Sequence, residues 1–231
     1  MTLPNGTARP SGTTTVRPVF ESVVLLGTTP KKTSLAFEQP ASRALPPWTD
    51  PHLTNSRWNR TDPEARAQVL AAIGRSAWPL VLYGATGSGK SCLAACLFRW
   101  FPSPNDPRHP VLWVQAAAEV RALTTAWREG QAPVLSQTTD MVVERSEHWL
   151  LSRMRDAAFV VLDDLGLRTP TESQQDAVLE IINARSGKPT VITTNLSMQR
   201  LAQTYDDRIV SRLAAGVAIS VQGQDRRAFE N

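Results

Sequence analysis

Eight consecutive residues carry the clearest chemistry in the sequence: Gly84-Ala85-Thr86-Gly87-Ser88-Gly89-Lys90-Ser91, the spacing G-x-x-x-x-G-K-[ST]. Glycines at these positions let backbone N–H groups converge on an anion with no Cβ in the way. The apolar residues Leu80–Tyr83 predict a strand before the run, and Lys90–Trp100 a helix after it. The start of that helix, with Ser91 and Cys92 in its first turn, adds free N–H groups and the positive end of its dipole. The expected ligand is a polyphosphate, ATP with Mg2+. Gly84 through Lys90 would hold its phosphates, Lys90 would reach the β- and γ-groups, and the Ser91 hydroxyl would face the metal.

Three further groups fit the same chemistry. Phe159-Val160-Val161-Leu162-Asp163-Asp164 reads as a buried strand that ends in acid. Open α/β sheets bind ligands at the C-terminal ends of their strands. There Asp163 is the expected magnesium partner, and Asp164 the residue that orients or deprotonates an attacking water. Val191-Ile192-Thr193-Thr194-Asn195 is a second strand ending at that edge, where the Asn195 amide can hold a water with neutral donor and acceptor groups. In Asp207-Arg208-Ile209-Val210-Ser211-Arg212-Leu213, Arg208 and Arg212 are four apart, on one helix face. An arginine offered to a neighbouring subunit's nucleotide would stabilise transition-state charge, whereas a surface pairing with Asp206 or Asp207 is the plainer alternative.

The elements that must position these groups follow from pattern and punctuation. Thr61-Asp62-Pro63-Glu64 signals a helix start, with Ala67, Leu70, Ala71 and Ile73 as its apolar face and Gly74 as its stop. Val111–Gln115 predicts a strand followed by a helix to about Trp127. Residues 129–139 read as a loop and 141–156 as a helix. Thr169-Pro170-Thr171-Glu172 opens a helix to Arg185, Thr190–Thr194 is a strand, and two short helices over 198–203 and 207–213 precede a last strand over 217–221. Apolar strands alternating with helices predict a parallel sheet covered on both faces.

Composition narrows the class. The chain has 231 residues, 42% of them hydrophobic, enough for one or two domains with a core. No apolar run reaches the ~18 residues of a membrane span, and no secretory signal is read at the N-terminus, so a cytoplasmic protein without a membrane partner is expected. Cys92 and Cys96, one helical turn apart, read as reduced core residues. Residues 1–60 hold seven basic and three acidic residues, so the net charge of +4 resides there, since the remainder is balanced. Residues 1–56 carry eight prolines and one strand-like stretch, 19–26, and read as a partner-binding or disordered extension; 57–231 reads as the catalytic domain. Of the seven tryptophans, Trp78, Trp100, Trp113 and Trp149 are expected to pack in the core or at its edge. Trp48 and Trp58, with Arg57 and Arg60, are candidates for stacking on an adenine or a partner. Arg226 and Arg227 are candidates for touching single-stranded DNA, or a solvated tail.

Taken in order, YGATGSGKS, VVLDDLG, EIINARSGKPTVITTNLS and DRIVSRL resemble the AAA+ ATPases of the DnaC/DnaI helicase-loader and IstB transposition-helper group, over about residues 75–221. The resemblance implies a P-loop NTPase αβα sandwich with a five-stranded parallel sheet and no C-terminal helical lid. It implies that the first segment is Walker A, the second Walker B, Asn195 sensor 1, and Arg212 an arginine finger acting in trans, with Arg208 the weaker candidate. It implies a homo-oligomer formed with ATP and a replicative hexameric helicase as partner, with single-stranded DNA as a further ligand; a transposase is the alternative partner. Asp164 departs from the glutamate of many AAA+ proteins, and its shorter reach implies slow hydrolysis. Two readings from other classes stand beside this one: a P-loop kinase acting on a small metabolite, and a module that binds ATP without hydrolysing it.

Overall fold

The computed structural model describes residues 55–101, 109–135, 141–166 and 170–223. The stretch 19–26, Trp48, the side chain of Arg57, Thr169, Arg226 and Arg227 lie outside the described residues. In chain order the elements are α1 (Asn55–Arg60), α2 (Pro63–Gly74), β1 (Leu80–Tyr83), α3 (Lys90–Trp100), β2 (Val111–Gln115), α4 (Ala116–Glu129), β3 (Gln131–Leu135), β4 (Val142–Ser146), α5 (Glu147–Asp156), β5 (Phe159–Leu165), α6 (Glu172–Ala184), β6 (Thr190–Thr194), α7 (Met198–Thr204), α8 (Asp207–Ala214) and β7 (Val217–Ser220).

Five strands form a wholly parallel sheet in the order β2-β5-β6-β1-β7. Alternate residues of a strand face opposite sides of a sheet, and the two cores divide accordingly. Val81, Val160, Leu162 and Ile192 join Leu123 of α4, Met154 of α5, Ile181 of α6 and Ile209 of α8 on one side. Leu80, Leu82, Phe159, Val161 and Val191 join Val69 of α2 and Leu93 and Phe98 of α3 on the other. Each fully buried Leu, Ile or Phe adds about 2 kcal/mol. The second core is rich in aromatics: Phe101 stacks on Phe159 with ring centroids 4.5 Å apart, and Phe98 meets Trp113 edge-on at 5.7 Å. The loops at the C-terminal edge of this covered sheet are where the candidate site is built. No helix of the described residues is long and apolar enough to cross a membrane.

Several sequence expectations need correction. The expected loop over 129–139 contains β3, and the expected helix over 141–156 starts only at Glu147; Val142–Ser146 is instead the strand β4, antiparallel to β3. The β-branched pair Val142-Val143 prefers an extended backbone, and Ser146 caps α5 by accepting from the Trp149 N–H. Trp149 is not in the core. It is 36% exposed, with the Arg145 and Arg153 guanidiniums 4.6 and 5.0 Å from its ring centre.

In α2 the cap is Asp62, which accepts from the Glu64 and Ala65 N–H groups, while the Thr61 hydroxyl donates to the Trp58 carbonyl. The buried face of α2 is Ala65, Val69 and Ala72; Ala67, Leu70 and Ala71 face outward. Apolar residues occupy most sides of this helix, so packing chooses the face. The α6 capping box is built by Thr171 with Gln174, two residues beyond the expected Thr169.

Below the sheet, opposite the candidate site, Arg185 is 4% exposed. It donates to the carbonyls of Met154, Ala157 and Pro189 and to the Thr190 hydroxyl, joining the end of α5 to the starts of β5 and β6. Burial pulls its guanidinium down to about 10, still protonated at neutral pH. Carbonyls at a helix C-terminus solvate the charge, which no carboxylate among the described residues pairs. Arg185→Ala strands these acceptors and is expected to cost about 3 kcal/mol in urea unfolding. A loss below ~1 kcal/mol would contradict this account.

Candidate functional site

Local backbone chemistry builds the first half of the site. Gly84, Gly87 and Gly89 all have positive φ, at +154, +80 and +99°, so the loop from β1 to α3 takes a path that glycine alone follows without strain. Gly84 has a second reason: a Cβ there would lie 2.4 Å from the Val221 carbonyl. Lys90 is 5% exposed, and its ammonium donates to the Gly84 and Ala85 carbonyls at 3.0 and 2.7 Å. Ser88 is buried, with its hydroxyl unpartnered. Ser91 and Cys92 occupy the first turn of α3, both half-buried, and Cys96 is buried behind them.

The second half is assembled across the sheet. Asp163, 1% exposed, accepts three hydrogen bonds: from the Ser91 hydroxyl at 3.0 Å and the Thr193 hydroxyl at 2.6 Å on Oδ1, and from the Gln115 amide at 3.1 Å on Oδ2. Thr193 also accepts from the Asp164 N–H at 2.9 Å. That amide is presented by an unusual backbone. Strand β5 runs on to Leu165, past the acids expected to end it, with a register shift between Leu162 and Leu165, and Asp164 sits at φ +58°. In this irregular stretch the two acids differ: Asp163 is buried and Asp164 half-buried. Leu165 pairs with Thr194, which places Asn195 at the same edge.

The donor set at Ser91 and Asp163 is all oxygen, which suits Mg2+. Among the described residues no group of three or more His, Cys, Asp and Glu gathers to hold a metal by itself. Magnesium bound with nucleotide phosphates and water needs no such cage, so the residues fit this ion.

The two arginines of α8 differ in their surroundings. Arg208 pairs with Asp206 at 2.9 Å and reaches Asp176 at 3.9 Å, the surface arrangement that the sequence also allowed. Its hydrogen bond holds the Asp206 carboxyl below the usual range. Arg212 is exposed and has no ion pair among the described residues. Trp58 is half-buried against the second core, with the Arg66 guanidinium 5.9 Å from its ring centre.

Residues 64–215 match the family described as IstB-like ATP binding protein. The chain belongs to this family. Lys90, Ser91, Gln115, Asp163, Asp164, Thr193, Asn195, Arg208 and Arg212 all lie within the matched stretch of the IstB-like domain. A curated relative, the replicative helicase loader DnaC of Escherichia coli K12, is 26% identical over 78 residues, which are 33% of this chain and 32% of that protein. The alignment thus spans about a third of the relative's length. AMPPCP-bound DnaA from Aquifex aeolicus superposes with a TM-score of 0.56 at 16% identity, over 79% of this chain and 54% of that one. The DnaC helicase loader structure gives 0.53 at 18%, over 72% and 99%. These likenesses establish the AAA+ P-loop fold for the IstB-like domain.

Sequence reading missed Gln115 and Thr193 as site residues. Thr193 lay inside the quoted strand, but its partner is 30 positions away; Gln115 is 48 positions from Asp163 and meets it because β2 pairs with β5. Thr193→Val removes a donor to Asp163 and an acceptor for the Asp164 N–H. It is expected to lose about 1–3 kcal/mol of stability in chemical denaturation, with Thr193→Ser close to wild type. Equal stability of the valine variant would contradict the bridging role.

Proposed function

We propose that this protein binds ATP between neighbouring copies and hydrolyses it to ADP and phosphate while loading or remodelling a replicative helicase on single-stranded DNA. The observation that carries the reading is the contrast between the arginines of α8. Arg208 is engaged within its own chain, whereas Arg212 is exposed and has no ion pair among the described residues. A cation kept available on the surface suits the trans role toward a neighbour's nucleotide.

In this reading the amides of residues 84–89 receive the phosphates, and Lys90 exchanges its carbonyl partners for phosphate oxygens. Ser91 and Asp163 would hold Mg2+, which would supply charge to neutralise the phosphates. Asp164 takes the proton of the attacking water, and Asn195 holds that water in line. The half-buried Asp164 has a shorter reach than glutamate, consistent with slow turnover that a partner accelerates. Similarity to a helicase loader supports the helicase as partner. The IstB-like family match favours a second reading, a transposition helper with the same ATPase cycle. Membership of the IstB-like family weighs against the small-metabolite kinase alternative.

Lys90→Ala is expected to lose nucleotide binding in equilibrium titration. Arg212→Ala is expected to bind ATP as wild type does and lose at least tenfold in turnover within the assembled, partner-bound state, while Arg208→Ala loses far less. Normal turnover by Arg212→Ala would refute the trans assignment. A pull-down with ATP that returns a hexameric helicase supports the first reading, and one that returns a transposase the second.

A further inference from the structure

The nucleotide loop is braced from behind by residues outside the family-matched stretch. After β7, the Val221 N–H donates to the Tyr83 carbonyl at 2.8 Å, so the chain continues alongside β1 toward the loop. There it packs backbone against backbone. The Val221 carbonyl occupies the place a Cβ on Gly84 would need, and a Cβ on Gly223 would lie 2.7 Å from the Ser88 carbonyl. Between these contacts the Gln222 N–H, beyond the end of the strand, finds its acceptor 160 positions away: Asp62 Oδ2, at 2.8 Å. The other oxygen of that carboxylate, Oδ1, caps α2 through the Glu64 and Ala65 N–H groups. The approach to Asp62 is itself fixed, because the Trp58 carbonyl accepts from the Thr61 hydroxyl and from Arg66.

We infer that Asp62 is a positioning residue for nucleotide: by clamping Gln222 it holds the Val221–Gly223 backbone against Gly84 and Ser88 and keeps the loop amides set for phosphate. Gln222 and Gly223 are exposed, and the strand ends before them, so without this bond they would fray as edge segments do. A loop that must be ordered on binding gives up affinity relative to one already ordered. The inference rests on ATP binding by the loop. It assigns Asp62 two separable duties, a helix cap and a clamp, one on each carboxylate oxygen.

The separation supplies the test. Asp62→Ser retains a good N-cap but is too short to reach Gln222. Gln222→Pro deletes the donated N–H, whereas Gln222→Ala keeps it. Affinity of the full chain for a fluorescent ATP analogue with Mg2+ is read beside nucleotide-free thermal unfolding. The expected result is a five- to tenfold rise in Kd for Asp62→Ser and Gln222→Pro, no change for Gln222→Ala, and a melting temperature for Asp62→Ser close to wild type. Wild-type affinity in Asp62→Ser would overturn the inference, as would a lowered melting temperature with unchanged affinity. Absence of binding by the wild-type protein would overturn the ATP reading itself, and the clamp with it.

Discussion

The whole arrangement depends on one buried carboxylate. Asp163 sits at the C-terminal edge of a sheet covered on both sides, almost sealed from water, and a carboxylate there persists only if donors surround it. They come from three elements: Ser91 from α3, Gln115 from β2 and Thr193 from β6. Each hydrogen bond ties an element to β5, so the bonds that satisfy the buried acid also join β2 and β6 to the strand between them. Thr193 extends the net by one bond to the Asp164 backbone, which the bulge turns into the left-handed region. Within this irregular stretch the adjacent acids have different surroundings, Asp163 buried and Asp164 half-buried.

Around that center the two sides of the sheet divide the work. The side with α2 and α3 is packed with aromatics and carries the phosphate loop. The other packs α4, α5, α6 and α8, bears the antiparallel pair β3–β4 next to α4, and presents the arginines of α8. Gln115, the residue that leads into α4, ties the edge strand directly to Asp163. At the opposite end of the strands Arg185 fastens α5 to β5 and β6 with charge-assisted bonds, leaving the C-terminal edge for chemistry.

Legibility in the sequence followed distance along the chain. The loop over residues 84–91 is a local object, and its residues emerged where pattern and spacing placed them, as did the strands that deliver Asp163, Asp164 and Asn195. What the pattern hid was nonlocal. Gln115 looks like any strand end until β2 is paired with β5, and Asp62 looks like a helix cap until residue 222 comes back to it. The β3–β4 pair was masked for another reason: Val142 to Arg145 continue into the helix without glycine or proline, and only Ser146 marks the change. For α2, alanines on several sides left the choice of face to tertiary packing.

The most direct measurement of the central claim is calorimetric titration of ATP into the wild-type protein and into Asp163→Asn, each with and without Mg2+. If Asp163 and Ser91 form the metal's protein partners, Mg2+ will tighten ATP binding to the wild type by at least tenfold. It will do little for Asp163→Asn, while metal-free affinity stays similar in both. Equal tightening by Mg2+ in the two proteins would show that the buried aspartate serves the sheet alone, and the account of the site would fail.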